Sequence, residues 1–154
     1  MTEIWFYHLT SQPLERTLPT LLERSLQPGW KAVAQGTNEE RLASLDTLLW
    51  TYSEPSFLAH GTSRDGDGQL QPVYLTAGTE NPNGASVRFC IEAAEVEPVL
   101  TEQPDAYERI ILMFDGNDDE QLANARAQWK TLKQQNRTMS YWQQDEEGRW
   151  TKKA

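Results

Sequence analysis

Cysteine, histidine and long apolar runs are scarce in this chain, and each shortage excludes a class of protein. The 154 residues contain one cysteine, Cys90, so an intrachain disulfide and a metal cage of several thiolates are excluded. The longest strictly apolar run, Ile110 to Phe114, is far shorter than the roughly 20 residues that span a bilayer. The N-terminus has no basic region before an apolar stretch, as a signal peptide requires. We therefore expect a single soluble, reduced, cytoplasmic domain over residues 1–154.

Motifs for phosphate binding and hydrolysis are also missing. The chain contains no G-x-x-x-x-G-K-[ST] loop, no G-x-G-x-x-G, no G-x-S-x-G and no H-E-x-x-H. Its two histidines are His8 and His60. We interpret His8 as an ordinary strand-end histidine, because no second catalytic group accompanies it. Cys90 lies in an apolar segment and is interpreted as a core thiol.

The charge is distributed unevenly along the chain. Acidic residues outnumber basic ones by 23 to 14, which gives a net charge of -9. Residues 1–119 carry a net charge of -12, whereas residues 120–154 carry +3, with seven basic residues against four acidic ones. An acidic chain is a poor candidate for direct DNA binding, which needs a basic surface. The basic C-terminal part instead indicates a localised interaction surface, with a solvated helix face as the alternative.

Apolar periodicity predicts strands that alternate with helices. The predicted strands are residues 4–7, 30–34, 72–76, 87–93, 109–114 and 138–144. The predicted helices are residues 13–28, 41–52 and 120–137, and residues 59–72 are predicted to form a long polar loop. Residues 109–114 are the most apolar run and are predicted to form a central strand. This alternation is typical of an α/β fold with a three-layer sheet.

Two acidic loops resemble the start of a calcium site. They are residues 65–68 and residues 115–119, and neither has the Gly at position six and the Glu at position twelve that an EF-hand loop needs. We expect turn and helix-capping roles for both. The second loop follows the candidate central strand, where α/β proteins bind ligands. An alternative function is therefore a metal- or phosphate-dependent enzyme that uses Asp115 with Asp118 or Asp119.

The predicted helix over residues 120–137 carries an apolar and a basic stripe side by side. The apolar stripe consists of Leu122, Ala125, Trp129 and Leu132. The basic stripe consists of Arg126, Lys130, Lys133 and Arg137. Like charges at this spacing repel, and favourable placement near the helix C-terminus explains Lys133 and Arg137 better than Arg126. A basic stripe beside an aromatic residue suits a short acidic peptide with a hydrophobic end.

Tryptophan is abundant, with six residues in the chain. Tryptophan is rarely fully buried and is enriched at binding hot spots. Tyr141, Trp142 and Trp150 are therefore candidates for a second contact surface, and packing at a sheet edge is an equally good interpretation.

Several segments together resemble a known family. They are IWFYHL at 4–9, LDTLLW at 45–50 with SFLAH at 56–60, FDGN at 114–117, ARAQWK at 125–130, and YWQQ with GRW between 141 and 150. In this order and spacing they resemble the chi subunit of the bacterial DNA polymerase III holoenzyme, in its alphaproteobacterial form.

The resemblance implies a non-catalytic adaptor without metal or cofactor. Its expected fold is a Rossmann-like α/β domain with helices on both faces of the sheet and no phosphate-binding loop. The family links the clamp loader, through a psi subunit, to the acidic C-terminal tail of single-stranded DNA-binding protein. Carried over to this sequence, the residues expected to bind the tail are Trp50, Arg126, Trp129, Lys130 and Lys133. Those expected to face psi are Phe57 and His60.

Overall fold

The sheet and helices follow the predicted alternation closely. The computed structural model describes residues 2–51, 60–62 and 71–154. Its strands are β1 (Glu3–Leu9), β2 (Ala32–Gln35), β3 (His60–Thr62), β4 (Val73–Thr76), β5 (Val87–Ile91), β6 (Arg109–Asp115), β7 (Thr138–Gln144) and β8 (Trp150–Lys152). Its helices are α1 (Leu14–Leu26), α2 (Glu39–Thr51), α3 (Glu97–Glu102) and α4 (Asp119–Gln134). No helix in these described ranges is long and apolar enough to cross a membrane.

All strands of the described residues join one sheet in the order β3-β4-β2-β5-β6-β1-β7-β8. Strands β1 to β7 pair in parallel, and β8 pairs antiparallel with β7. The chain moves from β1 to β2 in one direction through α1, and from β6 to β7 in the opposite direction through α4. This reversal is the signature of a doubly wound, Rossmann-like fold. The α/β prediction and the central position of residues 109–114 are confirmed.

The first face of the sheet is covered by α1 and α2 and has a leucine-rich core. The helices contribute Leu14, Leu18, Leu21, Leu22, Leu42, Leu45 and Leu49. Their spacing of three and four residues places one stripe of each helix against the sheet. Asn38 caps the start of α2, because its Oδ1 accepts a hydrogen bond of 2.8 Å from the Arg41 backbone N–H.

The second face is covered by α3 and α4 and has a more aromatic core. Its buried residues include Phe6, Tyr74, Tyr107, Phe114, Ala125 and Leu132. Asp118 begins α4 by accepting hydrogen bonds of 3.0 and 3.1 Å from the backbone N–H groups of Glu120 and Gln121. Cys90 is fully buried in this layer, and its burial raises the pKa of the thiol to about 11. The predicted core role of Cys90 is confirmed.

A fully buried arginine, Arg88, lies in the same layer and interrupts the apolar pattern of β5. It donates hydrogen bonds of 2.8 Å to Gln35 Oε1 and to the Tyr107 hydroxyl oxygen. It also donates to the backbone carbonyls of Gly78 and Glu80 at 2.6 and 3.0 Å. Because a buried charge is costly without partners, this set of acceptors is what allows the guanidinium to remain in the core.

The structure corrects three details of the predicted elements. The predicted polar loop over residues 59–72 is wrong for residues 60–62, which form edge strand β3 beside β4. The sequence pattern does not indicate α3, which is only six residues long. Helix α4 ends at Gln134, because Asn136 adopts a left-handed conformation with φ of 58°. Arg137 therefore lies beyond the helix, so the basic stripe on α4 itself consists of Arg126, Lys130 and Lys133.

Candidate partner-binding site

The rotation of α4 about its axis decides where its basic stripe points. On one flank, Gln128 accepts a hydrogen bond of 3.0 Å from the Val96 backbone N–H and donates one of 3.1 Å to the Ala94 carbonyl, so this flank faces the α3 segment. Arg126, Lys130 and Lys133 occupy the opposite flank of the helix. The basic stripe therefore borders the part of the sheet formed by β1 and β7.

Aromatic side chains form the floor beside this basic flank. The Trp129 ring lies edge-on to Phe6 and Tyr141, with ring centroids 5.1 and 5.5 Å apart. Trp129, Tyr141 and Met139 are half-buried and pack against the core of the second face. No helix of the described residues follows α4 to cover β7, so part of this apolar surface stays open to solvent. We call Arg126, Lys130 and Lys133 with Trp129, Met139 and Tyr141 the α4 surface.

The three cations of the α4 surface are exposed and unneutralised. Within the described ranges, none of Arg126, Lys130 and Lys133 forms a salt bridge or a hydrogen bond through its side chain. Lys153, also exposed, adds a fourth positive charge nearby, since its backbone N–H donates to the Tyr141 carbonyl at 2.7 Å. Surface cations without acidic neighbours retain their full electrostatic attraction for an incoming anion.

His8 connects the α4 surface electrostatically to the carboxyl edge of the sheet. Its Nδ1 lies 2.7 Å from the Tyr141 hydroxyl oxygen. Burial lowers the pKa of His8 below its ordinary value, and the nearby positive charge of Arg126 lowers it further, against an opposing effect of Asp115. Burial raises the pKa of Tyr141, and Arg126 partly offsets that rise. The Arg126 guanidinium therefore lies close enough to His8 and Tyr141 for its positive charge to change the pKa of both side chains.

The carboxylates of the acidic loop after β6 accept hydrogen bonds from backbone N–H groups of the same loop and of the start of α4. The Asp115 carboxylate accepts a hydrogen bond of 2.9 Å from the Asn117 backbone N–H, and Asp118 caps α4. The turn and capping roles predicted for this loop are confirmed. In the part of the chain that the structure describes, no three His, Cys, Asp or Glu residues come together as a metal site would require.

The loop between β1 and α1 occupies the position of a phosphate-binding loop, yet its N–H groups bind a side chain. The backbone N–H groups of Thr10, Ser11 and Gln12 donate to Gln144 Oε1 at 2.9, 3.3 and 3.2 Å. Converging backbone N–H groups at the start of a helix are what cradle a phosphate in nucleotide-binding relatives of this fold. Here the carboxamide oxygen of Gln144 takes that place, in agreement with the missing glycine motifs.

The remaining predicted site residues are separated from α4 or lie outside the described part. Trp50 belongs to α2, which packs on the first face of the sheet, whereas Trp129 belongs to α4 on the second face. The structure therefore does not bring these two helices together, and the side chain of Trp50 lies outside the described residues. Phe57 is also outside them, and His60 begins β3 without a described side chain. Their predicted roles stay predictions.

Residues that the sequence did not indicate for this site are His8, Met139 and Lys153. Tyr141 was expected on a second contact surface with Trp142 and Trp150, but the alternation along β7 separates them. Tyr141 packs with Trp129 on the second face, whereas Trp142 packs with Trp5 on the first. The sequence shows the alternation of Met139 and Tyr141 but loses it at Trp142. It gives no sign of the position of β7 beside β1, because parallel pairing over a long crossover leaves no local signal.

These features describe a doubly wound α/β protein whose phosphate cradle is filled by its own Gln144 side chain and which presents a basic, aromatic surface along α4. Comparison with known proteins gives the family. Residues 1–140 match the family described as DNA polymerase III chi subunit, HolC. A similar protein is "Probable DNA polymerase III subunit chi" of Rickettsia prowazekii (strain Madrid E), 30% identical over 117 residues, which cover 75% of this chain and 71% of that protein.

The chain therefore belongs to the DNA polymerase III chi subunit family, as its segments 4–9 to 125–130 indicated. Membership associates it with DNA replication and with the DNA polymerase III complex, in which chi is by name an accessory subunit.

Proposed function

We propose that this protein is a non-catalytic adaptor of the clamp-loader complex that binds the acidic C-terminal tail of single-stranded DNA-binding protein. The proposal treats residues 1–154 as one chi-like domain acting in the cytoplasm, in contact with DNA only through its partners. The observation that carries it is the α4 surface, in which three unpaired cations border a half-buried aromatic floor. Such a surface is complementary to a short peptide that is acidic along its length and apolar at its end.

Arg126 is the residue best placed to receive the terminal carboxylate of the tail. Its planar guanidinium can form two parallel hydrogen bonds with a carboxylate, and the described residues leave it without an acidic partner. Lys130 and Lys133 follow at intervals of four and three residues and can pair with acidic side chains further along the peptide. The apolar end of the tail would then lie on Trp129 and Tyr141, whose rings stand 5.5 Å apart at 86°.

His8 provides a site-specific signal for this binding mode. Because the positive charge of Arg126 helps to lower the pKa of His8, a carboxylate bound at Arg126 should raise that pKa. We expect saturation with a tail peptide to shift the His8 titration, followed by NMR, to higher pH. In the Arg126→Ala variant the pKa of His8 should already be higher than in the unaltered protein, and the peptide should not shift it further.

The same variant tests the affinity. Arg126→Ala should weaken binding about 10- to 100-fold by calorimetry, as expected for loss of a hydrogen bond to a charged group. Lys152→Ala is a matched control, because it removes an exposed positive charge from β8 at the register position of Trp142, on the other face of the sheet. Normal binding by Arg126→Ala, or equal losses in both variants, would contradict the assignment.

Salt and peptide truncation separate the charged from the apolar contribution. Raising the salt from about 0.1 to 1 M should weaken binding by roughly one to two orders of magnitude, because the Debye length falls from about 10 to 3 Å. The remaining affinity should depend on the terminal apolar residue of the peptide, since burial of apolar surface does not require charge. A truncated peptide that binds as well as the full one would show that Trp129 and Tyr141 form no pocket for it.

The link to the clamp loader is proposed to use a psi subunit or an equivalent partner. Phe57 and His60 remain the predicted residues for that contact, and Trp50 remains a predicted contributor to tail binding. Alanine variants at these three positions, assayed separately for tail peptide and for psi, would assign each of them to one partner. If none of the three variants loses psi binding, the prediction that Phe57 and His60 face psi is contradicted.

A further inference from the structure

A second positively charged surface lies on the opposite face of the sheet, along α1. Two adjoining cavities of about 330 and 230 Å³ share Leu21 and Arg24 in their walls. One reaches the turn before β8 at Arg149 and Trp150, and the other reaches the start of β6 at Arg109. Together they form a continuous groove, which we call the α1 groove.

The groove is lined by arginines and contains no acidic side chain. Its four arginines are Arg16, Arg24, Arg109 and Arg149. Arg109 and Arg149 are paired with carboxylates that stand outside the groove walls, on Glu3 and in the turn before β8, so the unneutralised positive charge of the groove lies on the other two arginines. Arg16 and Arg24 are exposed and form no ion pair within the described residues. Both side chains line the same cavity, and their positions on α1 are eight residues, or about 12 Å, apart along the helix axis.

Aromatic rings accompany the arginines along the groove. Trp150 stacks on Tyr7 with ring centroids 4.4 Å apart, and both rings line the groove. The Arg109 guanidinium lies 3.7 Å from the centroid of the Trp5 ring. Burial raises the pKa of Tyr7, and the positive charges of Arg109 and, to a smaller extent, Arg24 oppose that rise. The groove therefore offers both guanidinium groups and a half-buried aromatic wall.

We infer that the α1 groove binds an acidic segment of a partner protein that carries an aromatic or apolar side chain between two carboxylates. An extended peptide advances about 3.3 Å per residue, so carboxylates four residues apart span about 13 Å and match Arg16 and Arg24. The side chain midway between them would lie against Trp150. This site is independent of the α4 surface, which lies on the other side of the sheet.

The surroundings favour a peptide over a nucleic acid. Arg149 is already held by Asp145 and Glu147 of the turn before β8, with Arg149 Nε 3.1 Å from Asp145 Oδ2. These carboxylates and the exposed Glu146 stand at one end of the groove and would repel a continuous phosphate backbone. A peptide with two carboxylates can pair with the unpaired Arg16 and Arg24. Its negative charge need not continue past the acidic turn, as that of a nucleic acid would.

The test is a titration of the protein with a capped pentapeptide of the sequence Asp-Ser-Phe-Ser-Asp. Binding is measured by the changes in the backbone amide chemical shifts of the protein in NMR spectra. To prevent the peptide from binding at the α4 surface, the titration uses a protein that carries both Arg126→Ala and Lys130→Ala. We expect saturable shifts in α1 and in residues 148–150, with a dissociation constant below about 1 mM. Arg24→Glu should weaken this binding at least tenfold. Arg137→Glu, the same charge change on an exposed residue after α4, should leave it within twofold.

The remaining titrations each support or overturn the inference. A peptide with Asn in place of both Asp residues should lose at least tenfold in affinity. If Arg24→Glu fails to fold, Arg24→Ala replaces it, with a threefold loss or more expected. The inference is overturned if the Asp peptide does not saturate, if its shifts fall outside α1 and the turn, or if a thymidine octanucleotide binds there and the peptide does not. Because the titrated protein lacks Arg126 and Lys130, none of these outcomes bears on tail binding at α4.

Discussion

The two faces of the sheet present positive charge in different ways. On the second face, Arg126, Lys130 and Lys133 come from a single helix and stand beside Trp129. On the first face, the arginines come from α1, β6 and the turn before β8, and they meet in one groove only because the chain folds. A stripe on one helix can be recognised in a sequence, whereas a groove built from three distant segments cannot.

The faces also differ in the polar groups that they bury. The second face contains the fully buried Arg88 with its four acceptors, within a core that is mostly apolar and aromatic. The first face has a leucine core, and its key polar group is Gln144, which shares the side of Trp142 on β7 and ties the loop before α1 to the sheet edge. Four predictions test this contrast, in decreasing order of expected effect.

The largest effect is expected at Arg88. Arg88→Ala should lower the free energy of unfolding by about 3–5 kcal/mol, because it leaves a cavity and removes the donors for Gln35, Tyr107 and two backbone carbonyls. Urea unfolding followed by circular dichroism measures this loss. Leu45→Ala on the first face, expected to cost about 2–5 kcal/mol by cavity formation alone, is the apolar comparison. A loss below 1 kcal/mol for Arg88→Ala would show that its hydrogen bonds contribute nothing net.

Gln144 should come next. Gln144→Ala deprives three consecutive backbone N–H groups of their acceptor and should lower the free energy of unfolding by about 2–3 kcal/mol. Hydrogen exchange at Thr10, Ser11 and Gln12 should accelerate in the variant. Gln143→Ala, a half-buried neighbour on the opposite side of β7, is the matched control and should leave exchange at this loop unchanged. Unaltered protection in Gln144→Ala would contradict the role of the carboxamide.

His8 should give the second face a pH dependence near neutrality. Because burial and Arg126 lower the pKa of His8 in the folded state, the unfolded chain binds more protons between that lowered value and about 6.5. Stability should therefore be complete above pH 6.5 and decline as the pH falls below it. Unfolding at pH 7.0 and 5.5 should show a smaller decline for His8→Gln than for the unaltered protein. An equal decline in both would assign the pH dependence to other groups.

The smallest effect on stability is expected for the exposed cations of both faces. Lys130→Ala and Arg24→Ala should each change the free energy of unfolding by less than about 0.5 kcal/mol, because neither side chain has an ionic partner in the described ranges. Thermal unfolding measures this directly. A loss above 1 kcal/mol in either variant would show that the residue supports the fold, and would weaken the case that it is retained for binding.

Local patterns in the amino-acid sequence were enough to predict the alternation of helices and strands, the central strand over residues 109–114 and the stripes of α4. These features follow from local periodicity, from capping residues such as Asn38 and Asp118, and from the continuous apolar run of a strand buried on both sides. The family resemblance was likewise readable, because it rests on the order of short segments along the chain. Each of these signals lies within a few residues or within one helix.

The contacts between groups on different strands of the sheet could be seen in the folded structure alone. The insertion of β1 between β6 and β7 brings His8 to Tyr141, and the same pairing brings Gln144 to the loop after β1. Arg88 looks like a surface residue in sequence, and its burial depends on acceptors from Gln35, Tyr107 and a separate turn. Parallel strands join through long crossovers, so their neighbours are chosen by packing of the whole core, and no local pattern records that choice.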